Sequence, residues 1–218
     1  METDNRAMSG SIPGVVFLWA KKGITMRNQR VLLLVEIAIF AALGYVLDMI
    51  GFSMPQGGSV TFVLVPIILI AFRRGVVAGL ITGFLIGLLQ VVTGRFYPAP
   101  LSFEIVVLQV AIDYFIAFMV AGFAGFFRPA FIRALENKDT KKMATVVIAG
   151  TFIAAFLRYL AHVTSGFLFF SEFAGDQNPV LYSIIYNSTY MIPVFLVAAF
   201  ICTVLFVKAP RLLLPNRV

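Results

Sequence analysis

Charged residues are scarce in this chain of 218 residues. They make up 12% of the sequence, whereas about 25% is usual for a soluble domain, and hydrophobic residues make up 61%. So few charges cannot cover the surface of a soluble protein, but a bilayer removes the need for them. The composition therefore excludes an ordinary soluble domain and predicts an integral membrane protein.

Residues that commonly carry enzyme chemistry are also few. Cysteine and histidine each occur once, as Cys202 and His162, so the sequence predicts neither an internal disulfide nor a metal site. Ser165 follows His162 by three residues, but no plausible third group supports a catalytic pair. A glycine-rich phosphate loop of the Walker type is absent, so this chain does not hydrolyse ATP by that machinery. We predict no enzymatic activity and no cofactor in this chain.

Long apolar runs dominate the rest of the sequence. Six of them follow one another, at residues 31–51, 60–72, 76–92, 105–127, 143–170 and 181–207. A spanning helix needs roughly 20 apolar residues. We therefore predict an all-α bundle of six transmembrane helices over residues 26–218. Residues 1–25 are predicted to form a separate extension, flexible or lying at the membrane interface, because their apolar stretch at 14–20 is too short to span.

Basic residues give the six predicted helices an orientation. They cluster before the first run and after the second, fourth and sixth, whereas the other three loops hold only Arg95. The clustered residues are Lys21, Lys22, Arg27, Arg30, Arg73, Arg74, Arg128, Arg133, Lys138, Lys141, Lys142, Lys208, Arg211 and Arg217. With six spans all these clusters fall on one side, which the positive-inside rule assigns to the cytoplasm. Both termini are therefore predicted to be cytoplasmic, in a multi-pass protein of the cell membrane.

Ionisable side chains inside a membrane are costly and mark candidate sites. Asp113 lies in the middle of the fourth run, where its carboxylate suits a cationic or amine-bearing ligand or, alternatively, a buried donor such as Arg158. Arg158 and His162 are four residues apart and share a helix face. Arg158 is interpreted as structural, either reaching the interface or pairing with an acid. Glu36 and Asp48, at the two ends of the first run, are interpreted as structural as well.

Three further features add candidates. Tyr182, Ser183, Tyr186 and Asn187 form a polar patch at i, i+4 spacing where the last run opens. The three weakly charged loops, at 54–59, 94–98 and 171–179, combine glycine and proline with aromatic residues and could form a lid. A face of small residues, which serves either packing within the bundle or docking of a membrane partner, runs along the first span. Its members are Ala38, Ala41, Ala42 and Gly44.

An ordered set of motifs extends over about residues 30–207. Its members are the run at 66–75 with 78–80 after it, Thr93-Gly94 with Tyr97, Asp113-Tyr114, Arg158-Tyr159-x-x-His162-x-x-x-Gly166, and Leu181-Tyr182-Ser183-x-x-Tyr186-Asn187. Together they resemble a known family, the thiamine-specific S-components (ThiT family) of energy-coupling factor (ECF) transporters.

The resemblance implies a substrate-binding subunit that captures thiamine at the outer face. Import would then be driven by a transmembrane coupling subunit and two cytoplasmic ATPases, which use the ATP of this ABC-type system. It implies that Ala38 and Ala42 dock to that partner. It also places six residues on ligand-contacting positions, namely Tyr97, Asp113, His162, Phe170, Tyr182 and Asn187.

The sequence departs from the family pattern at three places. A tryptophan of the first outer loop is absent from Gln56-Gly57-Gly58-Ser59, Thr61 replaces a glutamate, and Asp113 is one methylene shorter than the usual glutamate. An S-component for a thiamine precursor or another small vitamin therefore stays open as an alternative. An autonomous carrier and an intramembrane enzyme are the more distant alternatives.

Overall fold

The protein is described by a computed structural model that covers residues 13–55 and 57–214, with side chains from Asn28 onward. The described residues from Glu36 onward form one compact unit, and those before it belong to a second unit. Most of the predicted extension at 1–25 therefore lies outside the described residues, and the part from Pro13 onward begins the first helix. Whether residues 1–25 are a separate extension stays a prediction.

Six helical segments make up the described fold. The first three are α1 (Pro13–Asp48), α2 (Leu64–Arg74) and α3 (Val76–Val92). The fourth is continuous over 103–136 and contains α4 (Phe103–Val110), a π-helical turn (Ala111–Ile116), α5 (Ala117–Met119), a 3-10 segment (Val120–Phe127) and α6 (Arg128–Glu136). The last two are α7 (Thr140–Phe169) and α8 (Pro179–Lys208), with short 3-10 turns at Ser171–Ala174 and Pro210–Leu213.

The six apolar runs correspond to these six segments, which confirms the all-α membrane fold. Within the described residues, four stretches are long and apolar enough to span a membrane, at Asn28–Asp48, Phe103–Glu136, Thr140–Phe169 and Pro179–Lys208, and Val76–Val92 is a shorter apolar helix. A small antiparallel hairpin, β1 (Gly51–Ser53) and β2 (Ser59–Thr61), was not predicted. It follows α1 directly and covers one end of the bundle's cavity described below.

α2 is short because it is the central helix of the bundle. Its residues from Leu64 to Phe72 are all buried. The neighbouring helices therefore shield it from lipid, and it can be shorter than the bilayer is thick. Gly75 ends it with a backbone φ of 95°, a conformation that favours glycine, and α3 begins at the next residue. Phe72 of α2 packs edge-to-face on Phe131 and Phe206, with ring centroids 5.8 and 5.2 Å apart.

The outer surface of α8 is apolar at a regular spacing. Ile192, Leu196, Phe200 and Val204 follow one another at intervals of four residues and are 45–71% exposed. Four-residue spacing places these side chains on one face of the helix. A soluble protein would bury such a stripe, so its exposure is consistent with a lipid-facing surface.

Charged residues are concentrated around the carboxyl end of α2. The carboxylate of Glu36 accepts hydrogen bonds from both Arg73 and Arg74, at 2.5–3.1 Å. Arg73 also donates to the backbone carbonyl of Leu212, at 2.7 Å, and its own carbonyl accepts from Arg128. The cluster joins α1, α2, α6 and the C-terminal segment, with Arg73 as the common member.

The small-residue face of α1 divides into two. Ala41 and Gly44 are buried in the bundle, and a side chain at Gly44 would meet Ile86 and Pro66. Ala38 and Ala42 are exposed on the outer surface of the same helix. Packing within the bundle therefore accounts for two of the four residues, and the outward pair stays available for a partner.

Candidate binding site

A cavity of about 460 Å³ opens at one end of the bundle. It lies where α1, α3 and α7 end and where the helix 103–136 and α8 begin. Pockets of roughly 300–1,000 Å³ are typical for small-molecule ligands. All six residues predicted to contact a ligand line this cavity, namely Tyr97, Asp113, His162, Phe170, Tyr182 and Asn187. Their role in binding stays a prediction, but they share one cavity.

Asp113 is the most strongly hydrogen-bonded acid of the cavity. It lies on the π-helical turn Ala111–Ile116, a local widening of the helix that is frequent at functional sites. Ser165 donates to its Oδ2 at 2.5 Å, Gln109 donates to the same oxygen at 3.1 Å, and His162 Nδ1 lies 3.0 Å from Oδ1. Since a carboxylate offers about four acceptor positions, roughly one remains for a ligand.

Ser165 and His162 both bind Asp113. The Ser165 hydroxyl points to the carboxylate, and a serine nucleophile would instead need its hydroxyl on the histidine. The arrangement therefore fits a polar binding site.

The protonation of His162 follows from its two partners. Arg158 Nε donates to His162 Nε2 at 3.2 Å, and because an arginine has no acceptor, this ring nitrogen must carry the lone pair. The proton then sits on Nδ1, which donates to Asp113. His162 is held as a neutral imidazole of one defined tautomer between an arginine and an aspartate.

Arg158 is buried, with 6% of its surface exposed, and does not reach the interface. Its guanidinium carbon lies 4.1 Å from the ring centroid of Phe118, a cation–π contact. Its NH1 has no hydrogen-bond partner among the described residues. Its hydrogen-bond partner is thus a histidine, while the acids Asp48 and Asp113 attract its charge. The NH1 group, with two N–H donors, remains for an acceptor in the cavity.

The polar patch that opens α8 faces the same cavity. Asn187 donates from Nδ2 to the carbonyl and the hydroxyl of Ser183, at 2.8 and 3.1 Å, and Tyr190 donates to its Oδ1 at 2.5 Å. Gly166 of α7 lies against this patch, and a larger residue would collide with Ser183 and Asn187. The amide of Asn187 is thereby fixed, with one acceptor position left on Oδ1.

Aromatic rings from the loops surround the mouth of the cavity. Tyr97 and Phe170 have ring centroids 6.0 Å apart, and Phe170 lies 6.1 Å from Phe173. The position of Tyr97 is fixed by its backbone N–H, which donates to the Tyr114 hydroxyl at 2.8 Å. Aromatic faces attract cations, more strongly in a dry site.

The β1–β2 hairpin forms a second cover over the cavity. Gly57 and Gly58 have φ of 86° and 81°, and a side chain on Gly58 would collide with the ring of Tyr190. The Tyr186 hydroxyl donates to the carbonyl of Gly57 at 2.9 Å. Gln56 lies outside the described residues. The glycines of the predicted lid therefore serve both the turn and the close approach to α8.

Sequence reasoning missed a second carboxylate in this cavity. Asp48, interpreted as structural, lines it and accepts hydrogen bonds from Gln90 Nε2 at 2.8 Å and from the Thr61 hydroxyl at 3.2 Å. The available signal is its position at the carboxyl end of the first run, next to a glycine-rich loop. The residue that accompanies it, Thr61, was noted only as a departure from the family pattern.

Comparison with known proteins agrees with this architecture. The family model "Thiamine transporter protein (Thia_YuaJ)" matches residues 34–214. The thiamine transporter ThiT of Bacillus subtilis (strain 168) is 41% identical over 191 residues, which cover 86% of this chain and 96% of that protein. ThiT of Lacticaseibacillus paracasei is 26% identical over 188 residues, covering 85% and 92%. A solved structure of ThiT from Listeria monocytogenes superposes with a TM-score of 0.78 at 32% identity, covering 86% of this chain and all of that one.

Proposed function

The chain belongs to the thiamine transporter protein family, and from that premise we propose that it is the substrate-binding subunit of an ECF-type transporter. In this role it captures thiamine in the cavity, which opens to the outside. A partner complex of one transmembrane coupling subunit and two cytoplasmic ATPases then drives import. The chain itself is a thiamine-transport protein of the cell membrane with no enzymatic reaction.

The observation that carries the proposal is the match between the cavity and the chemistry of thiamine. The vitamin has an aminopyrimidine, with donors and acceptors, and a thiazolium ring with a fixed positive charge. The remaining acceptor on Asp113, the free donor of Arg158 NH1 and the remaining acceptor of Asn187 provide complementary groups. The aromatic rings of Tyr97, Phe170 and Tyr182 supply faces for the cationic ring.

The need for an energy source other than this chain supports its assignment to a multi-subunit transporter. The sequence contains no Walker-type phosphate loop, so uptake against a gradient requires another source. Ala38 and Ala42, exposed on α1, offer a smooth surface on which a helix of the coupling subunit can pack closely. The predicted orientation places the cavity outside and both termini in the cytoplasm.

Reconstitution tests this proposal directly. Proteoliposomes that contain the purified chain alone should bind thiamine without accumulating it. Vesicles that also contain the coupling subunit and ATPases should accumulate it only when ATP is supplied. Accumulation by the chain alone would contradict the proposal and identify an autonomous carrier.

A thiamine precursor is the second candidate substrate, favoured by the glycine-rich first lid in place of a tryptophan and by Thr61 in place of an acid. Competition with the isolated pyrimidine and thiazole halves distinguishes the two. Thiamine should displace a bound probe at lower concentration than either half. A pyrimidine half that competes as well as thiamine would favour the precursor.

A further inference from the structure

The cavity contains three buried or half-buried charges whose sum is not zero. Asp48 and Asp113 are acidic, Arg158 is basic, and His162 is held neutral by its two partners. Both oxygens of Asp48 accept hydrogen bonds, as they do in a carboxylate. With both acids ionised, the three charges sum to −1 before a ligand enters. The cation Arg95 also lines the cavity and attracts Asp48, but it is exposed, where water and salt weaken its effect.

The two carboxylates are not equivalent. Asp113 receives three donors from the protein, whereas Asp48 receives two, from Thr61 and Gln90. Asp48 thus keeps about half of its acceptor capacity, and a larger share of its charge is uncompensated by hydrogen bonds. In a site of low dielectric such a charge favours a cationic ligand over a neutral one of the same shape.

We propose that Asp48 is the residue that makes the site prefer a cationic ligand over a neutral one, by opposing the positive ring of the bound ligand from the end of α1. This role rests on the proposed thiamine-binding function and assigns a second acid to the same site. Thr61 and Gln90 act as positioning residues, because their hydrogen bonds aim the carboxylate into the cavity. Asp113, His162 and Arg158 are left to bind the hydrogen-bonding part of the ligand.

The test is charge selectivity, measured as the ratio of two dissociation constants. One ligand is thiamine, and the other is a neutral analogue in which a thiophene of the same shape replaces the thiazolium. The wild-type chain should prefer thiamine by about tenfold or more. Asp48→Asn should reduce this preference to less than about threefold, chiefly by weakening thiamine binding. Asp48→Glu, which keeps the charge, should retain most of it.

Asp176→Asn is the matched control, because it makes the same change on an exposed outer-loop acid outside the cavity. It should leave the ratio at the wild-type value. An Asp48→Asn protein that keeps the wild-type ratio overturns the proposal. Equal loss of both ligands overturns it as well, since that is the result of a merely structural role.

Two further outcomes distinguish a failure of the Asp48 role from a failure of the proposed thiamine-binding function. If the wild-type chain binds neither ligand, the thiamine-binding function itself fails, independently of Asp48. If Asp48→Asn does not fold, Asp48→Ser is measured in its place, since it also removes the charge. Its ratio should likewise fall to less than about threefold, and an unchanged ratio overturns the proposal.

Discussion

His162 donates from Nδ1 to Oδ1 of Asp113 across 3.0 Å, and this bond joins α7 to the π-helical turn of the helix 103–136. The pair lies inside the cavity, with Arg158 on the far side of the imidazole. A ligand that binds Asp113 therefore meets an acid whose position is set by a second helix. Pre-positioned groups of this kind lower the ordering cost of binding.

Neutralising Asp113 should weaken thiamine binding. Asp113→Asn removes a charged acceptor and forces an amide donor against the donors of Ser165 and Gln109. We expect a loss of about 1–3 kcal/mol, or roughly five- to 150-fold in dissociation constant. Isothermal titration of the purified variant measures it. An unchanged affinity would assign Asp113 a structural role only.

Removing the imidazole of His162 should also weaken thiamine binding, but by an indirect effect. His162→Leu leaves Asp113 without one donor and Arg158 without its acceptor, so we expect affinity to fall about tenfold. Tyr159→Phe on the same helix is the matched control, since Tyr159 donates to the carbonyl of Ile184 and does not line the cavity. Equal behaviour of the two variants in the titration would argue against the His162 role.

The lid should not tolerate a side chain at Gly58. A Cβ there would lie 2.6 Å from the Tyr190 ring, at a φ of 81°. Gly58→Ala should therefore weaken thiamine binding by displacing Tyr190, which holds Asn187. Gly75→Ala is the control, because its φ of 95° also costs backbone strain, but nothing lies within 4 Å and the residue does not line the cavity. Titration should show a clearly larger loss for Gly58→Ala, and equal losses would exclude the contact as the cause.

Glu36, the acid of the charged cluster at the carboxyl end of α2, should matter for stability and not for thiamine binding. Glu36→Gln leaves Arg73 and Arg74 without their shared partner, and about 2 kcal/mol or more of stability should be lost. Thermal unfolding in detergent measures the change, with exposed Glu104→Gln as the control. A melting temperature equal to that of the control would show that the cluster contributes little.

Enlarging the exposed alanines should separate binding from transport. Ala38→Leu together with Ala42→Leu should leave thiamine affinity unchanged but abolish ATP-dependent uptake in the reconstituted complex, because close helix packing is lost. Val204→Phe enlarges another exposed position, on α8, and should leave uptake intact. Normal uptake by the alanine variant would place the docking surface elsewhere.

The sequence predicted the helices well because length and apolarity suffice to identify them. α2 was recognisable as short, and the predicted run at 105–127 became part of a longer continuous helix that extends to Glu136. The π-helical turn at Asp113 and the hairpin at 51–61 were not predictable. The first is a local widening within an apolar helix and leaves no mark on the hydrophobic pattern, and the second has three-residue strands too short for a periodic pattern.

The candidate site could be predicted only in part from the sequence. Asp113 and His162 stand out because they interrupt apolar runs, which makes them visible without a structure. Asp48 and Gln90 lie at helix ends, where polar residues are ordinary, and only the fold shows that these ends converge on the cavity. Likewise, only the fold separates the buried Ala41 from the exposed Ala38.

Binding of thiamine to the purified chain, without ATP or partner subunits, tests the central claim most directly. Isothermal titration should give saturable binding with one site per chain, and the site should be weakened by Asp113→Asn but not by Asp176→Asn. Absence of saturable binding by a folded wild-type chain would contradict the assignment of the cavity as a thiamine site.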